Sequence, residues 1–124
     1  MNNLINSKDN FNKSNNNDFI KFEIKKLSNE IVMIHFILKR ELEPEDLKKI
    51  SPPDPIKNNF SDKTIILSGR GPIWLYGFLI HYYHPVKAIS IFDPRYNAAI
   101  IIESHFKKYK IGDIIKTDLK GEDK

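Results

Sequence analysis

Three short clusters carry the residue types that phosphate chemistry uses. The first is Ser68-Gly69-Arg70-Gly71-Pro72. Its glycines let backbone approach a ligand closely, and Arg70 offers a fork of donors matched to phosphate. Pro72 suits the first position of a following helix, whose free N–H groups attract anions. A P-loop is excluded, because neither Lys-Ser nor Lys-Thr follows Gly71. An ordinary strand-to-helix turn with Arg70 in water accounts for the same residues equally well.

The second cluster is His81 and His84, three residues apart in a helical stretch and so on one face. Two imidazoles at that spacing can hold a metal ion. Pro85 ends the stretch and places His84 at a helix C-terminus, where the dipole favours an imidazolium able to move a proton. The plainer alternative is two half-buried rings beside Tyr82 and Tyr83. The third cluster, Asp93-Pro94-Arg95, falls at a strand end. It offers a carboxylate for metal or base work and a guanidinium for charge on phosphorus. A surface ion pair in a turn, worth little, is the commoner use of such a pair. Together the three clusters supply the parts of a phosphodiester-cleaving site. His35 and His105 are not needed for it and read as packing or surface residues.

The elements that must position these groups follow from periodicity. In 19–27, Ile20, Phe22 and Ile24 alternate with Lys21, Glu23 and Lys25, a strand with one wet face. After a Ser28-Asn29 turn, 31–38 is apolar on both faces apart from His35, so it is the more central strand of a hairpin. A helix is expected over 43–50, with Pro44 in its first turn, acids early and lysines late. "SPPDP" (51–55) then makes a stiff surface connection. Strands are expected at 63–67, 86–92 and 98–103, with a short edge strand within 112–119. Residues 73–84 form a helix apolar almost all round, which calls for cover on more than one side. Gly77 inside it costs about 1 kcal/mol against alanine and points to close packing there.

The sum is an α+β single small domain, a mixed β-sheet with two helices, of the ferredoxin-like type. Its 124 residues suffice for one core, and the net charge of +4 permits a nucleotide partner without demanding one. With no cysteine, disulfides, thiolate nucleophiles and Cys-ligated zinc are all excluded. No apolar run is long enough to span a membrane and no secretory signal opens the chain, so a cytoplasmic location is expected. Residues 1–17, dominated by asparagine, read as a disordered tail, with the domain over 18–124.

From about Ile65 to His105, the block "SGRGPIWLYGFLIHYYHP" followed by "FDPR" resembles the CRISPR ring nuclease 3 family, small accessory proteins of type III CRISPR systems. The resemblance implies a manganese-dependent hydrolase that cuts the second messenger cyclic tetra-adenylate to linear di-adenylates and so switches off an antiviral defence. It implies His84, Asp93 and Arg95 as catalytic residues, and Ser68, Gly69, Arg70 and Gly71 as ligand-binding. Metal ligands would come from His81, His84 and Asp93. It also implies a homodimer and a ligand-linked homotetramer that shares its site between subunits. Alternatives are a manganese-dependent 3′ exoribonuclease acting on single-stranded, adenylate-rich RNA ends, or a sensor that binds the ring without cutting it. After Asp-Pro-Arg, Asn97 stands where glycine is expected, and the stretch is one residue longer than the family pattern. A β-bulge can absorb that residue.

Overall fold

The computed structural model describes residues 16–117; all of the expected tail, 1–17, except Asn16 and Asn17 lies outside the described residues, as does the end of the domain, 118–124. Strands β1 (Ile20–Lys26) and β2 (Ile31–Leu38) form the expected antiparallel hairpin. Ser28 closes it by accepting the N–H groups of Glu30 and Ile31 on its hydroxyl. At the other end, Asn17 accepts from the N–H groups of Phe19 and Ile20, and Asn16 from that of Phe22, tying the last asparagines to the strand entrance.

The helix expected over 43–50 is a short 3-10 segment, Pro44–Lys49. Its C-terminal N–H, that of Ile50, turns back to Leu47 three residues behind, and Ser51-Pro52 blocks further helix. Asp46 organises the start: its carboxylate accepts the Glu43 N–H at 2.7 Å and both terminal nitrogens of Arg40 at 2.9 and 3.1 Å.

β3 (Thr64–Ser68), α1 (Ile73–Tyr82), β4 (Ala88–Asp93), β5 (Ala98–Ser104) and β6 (Ile114–Lys116) complete the described residues. The six strands lie side by side in chain order. β2, β3 and β4 are parallel and buried at the centre, with antiparallel strands on either flank. A ferredoxin-like sheet inserts another strand between the parallel pair of each βαβ unit; here β2, β3 and β4 pair directly. The class is the expected one, α+β with a mixed sheet and two helices.

Both crossovers pack on one face of the sheet, where two right-handed connections stepping the same way fall. Leu42, Ile50 and Phe60 from the first, and Leu75, Leu79 and Tyr83 from the second, meet Val32, Ile34, Phe36, Ile65, Leu67 and Ile89. The other face carries a smaller cluster of Met33, Ile66, Ala99, Ile101 and Ile115. Tyr83 is fully buried and donates its hydroxyl to the Pro53 carbonyl at 2.7 Å. Pro52 and Pro53 are therefore buried, not a surface connection.

Among the described residues, only one side of α1 is covered. Leu75 and Leu79 are buried, whereas Ile73 is 86% exposed and a methyl group at Gly77 would meet nothing within 4 Å. The close packing expected at Gly77 is absent among the described residues. Among the described residues, no helix is long and apolar enough to cross a membrane.

Candidate functional site

The parallel strands deliver their C-terminal ends to one rim of the sheet. Ser68 closes β3 there, and the glycine loop turns over Phe36 of β2. Gly69 has φ +143°, and a Cβ on it would sit 2.6 Å from the Phe36 carbonyl oxygen. At Gly71 a Cβ would lie 2.9 Å from the Phe36 ring. Only glycine fits this close approach. Tyr76 of α1 locks the loop from above by donating to the Gly69 carbonyl at 2.6 Å, and burial pushes its phenol up to about 12. Pro72 lies one residue before the helix, not in its first turn, and no side chain caps the N-terminal N–H groups. With Arg70 exposed beside them, the loop is a rigid, anion-receptive edge.

His35 belongs to this rim too. The parallel register sets it opposite Ser68, and its Nδ1 lies 3.1 Å from the Ser68 hydroxyl. It is a hydrogen-bond neighbour of an expected ligand-binding residue.

Asp93 ends β4 on the same rim. The Asp93 carboxylate is wrapped by Arg95, with Nε at 3.2 Å, a terminal nitrogen at 2.9 Å and the backbone N–H at 2.9 Å. These bonds hold the Asp93 carboxyl below the usual carboxylate range and raise Arg95. Asn97 adopts φ 51°, the left-handed conformation that glycine would otherwise supply. The β4–β5 ladder carries a register shift that steps past Ile102, with Ile89 facing Glu103 and Ser90 facing Ile101.

His84 lies at the other rim. α1 runs back across the sheet and ends at Tyr82, so His84 stands in the turn beyond the helix, not on a helical face with His81. There it meets the far end of β5. His84 Nδ1 is 2.5 Å from a Glu103 carboxylate oxygen, and His105 Nε2 is 2.7 Å from the same oxygen. The two rings cross edge to face at 5.2 Å. One ligand atom from each of His84, Glu103 and His105 falls within 4.8 Å of the others, a donor set of two imidazoles and a carboxylate able to hold a divalent cation. His81 stands outside that set and lines an open cavity of about 550 Å³ beside it.

Glu103 and His105 were not singled out from the sequence. Their signal was present: two residues apart at a strand end, they share one face with nothing apolar between their tips. Within one chain, then, His81, His84 and Asp93 are not brought together as a ligand set. The six residues of β4 separate the His84 rim from Asp93 and Arg95 by about 17 Å.

Residues 35–116 match the protein family described as CRISPR-associated protein (Cas_csx3). A protein of Aquifex aeolicus (strain VF5), itself described only as uncharacterized, is 54% identical over 99 residues, covering 80% of this chain and 89% of that one. The chain belongs to this CRISPR-associated family. The matched region opens at His35 on β2 and closes with β6, so it contains both rims.

Proposed function

We propose that the protein is a metal-dependent ring nuclease that opens cyclic tetra-adenylate to linear di-adenylates at a site shared between chains. The observation that carries this reading is the split of the machinery. The anion-receptive loop with Arg70, Asp93 and Arg95 lies at one rim, and the histidine–carboxylate group lies at the other. Phosphate binding and the Arg95 guanidinium belong to one rim, and proton handling and the group able to hold a metal belong to the other. A ring presenting several phosphates, held between stacked copies, meets the C-terminal rim of one chain and the His84 rim of another. The uncovered side of α1 is consistent with a further subunit contact. CRISPR-associated membership supports the choice of messenger.

In this mechanism Ser68, the loop N–H groups and Arg70 bind phosphate and ribose oxygens. Asp93 does not ligate metal; it aims Arg95, whose remaining guanidinium donors face the charge that builds on phosphorus. Glu103 lies against His84 Nδ1, the nitrogen that would face the ion, so Nε2–H is the edge left to donate a hydrogen bond to the departing oxygen. His84, Glu103 and His105 would hold the divalent ion, preferably manganese, which when bound supplies positive charge to the phosphate. Attack by a ribose 2′-hydroxyl would leave a 2′,3′-cyclic phosphate, whereas attack by water would leave an open one.

The test is product analysis after incubating the purified protein with cyclic tetra-adenylate, with manganese or with EDTA. Linear di-adenylates formed only with manganese are expected. An intact ring in every sample overturns the reading; ring binding without cutting makes the protein a sensor. Preferential trimming of linear adenylate RNA makes it an exoribonuclease.

A further inference from the structure

Beside the glycine loop lies a small cavity of about 230 Å³ whose lining includes His35, Ile37, Leu38 and Arg70. His35 occupies the helix-free face of β2, between Met33 and Ile37, where strand alternation otherwise places apolar residues. Its Nδ1 is occupied by Ser68, and among the described residues Nε2 has no hydrogen-bond partner. The lining thus joins an imidazole and a guanidinium to the aliphatic Ile37 and Leu38.

We infer that His35 is a positioning residue of the ligand site: it fixes the Ser68 hydroxyl through Nδ1 and offers Nε2 to the phosphoryl group of a bound nucleotide. The inference rests on the proposed ring-binding reading and extends it to a residue on β2. Ser68 is buried and has one rotatable O–H. Held by Nδ1, that hydroxyl points in one direction before ligand arrives, so no rotor has to be ordered on binding. With the Ser68 proton donated in a hydrogen bond to Nδ1, the phosphoryl group lies among Arg70, the loop N–H groups and His35 Nε2–H, and the Ser68 oxygen is left to accept from a ribose hydroxyl. The Ile37–Leu38 side accommodates part of the attached nucleoside.

The experiment is calorimetric titration of the full chain with cyclic tetra-adenylate in EDTA, for wild type and for His35→Ala, His35→Asn and His35→Gln, with melting curves alongside. An asparagine amide reaches the position of Nδ1 and a glutamine amide that of Nε2. The expected result is binding weakened about tenfold in His35→Ala, largely recovered in His35→Asn and poorly in His35→Gln. With manganese, KM should rise while kcat at saturating ring changes by less than about twofold. Wild-type affinity in His35→Ala overturns the inference, as does a lowered melting point with no change in KM.

If wild type itself does not bind the ring, the functional reading falls and His35 is tested with adenosine monophosphate. Movement of the His35 ring signals in the NMR spectrum upholds the subsite, and no movement overturns it.

Discussion

His84 and Asp93 stand at opposite ends of β4, one just before the strand begins and the other its last residue, about 17 Å apart along it. No side-chain rotation closes that gap. A reaction that uses both must draw them from different chains, and this separation makes the assembly testable through its chemistry.

The ligand set for the divalent ion separates the two rims directly. Glu103→Gln and His105→Ala should weaken manganese binding at least about tenfold, measured by the electron paramagnetic resonance signal of free manganese. Asp93→Asn should leave it unchanged. Loss of binding in Asp93→Asn alone would move the ion to the other rim.

The glycine loop should tolerate no side chain at its first glycine. Gly69→Ala places a methyl against the Phe36 carbonyl in a backbone conformation that L-residues avoid, a cost of about 1–3 kcal/mol. Thermal melting should register the loss, and ring binding should fall with it, while manganese binding at the far rim persists.

Asp46 links folding to acid. Its hydrogen bonds with Arg40, and then with the Glu43 N–H, lower its carboxyl to about 2 from an ordinary 3.8. Its pKa is depressed on folding, so its contribution is complete above pH 3.8 and is lost as the pH falls toward 2. Asp46→Asn should melt lower than wild type at neutral pH, and the difference should shrink across that acid window.

Tyr83 fastens the end of α1 to the proline segment. Tyr83→Phe keeps the ring but strands the buried Pro53 carbonyl, and should cost about 1 kcal/mol by urea unfolding. Phenylalanine keeps the ring in the core, so His84 should stay against Glu103 and activity per folded molecule should be retained.

Much of the sheet was legible because alternation and apolar runs report burial directly: the lysines and glutamate of β1 and the isoleucines of β3 fixed both strand type and centrality. The glycine loop and the Asp-Pro-Arg turn were legible from residue types with narrow backbone uses. What escaped depended on tertiary placement. Helical spacing paired His84 with His81, but the helix ends at Tyr82, Pro85 disfavours helical backbone at His84, and His84 meets Glu103. His35 and His105 were passed over because their partners, Ser68 and the His84 turn, are brought close by strand pairing and by a return crossover, contacts that no local pattern encodes.

The most direct test of the shared site is co-assembly of two inactive chains, His84→Ala and Arg95→Ala, assayed on cyclic tetra-adenylate with manganese. Each variant alone should leave the ring intact. If each site takes His84 from one chain and Arg95 from another, random mixing should restore about a quarter of the wild-type rate. A mixture as inactive as its components, when wild type cuts, would contradict a site built from two chains.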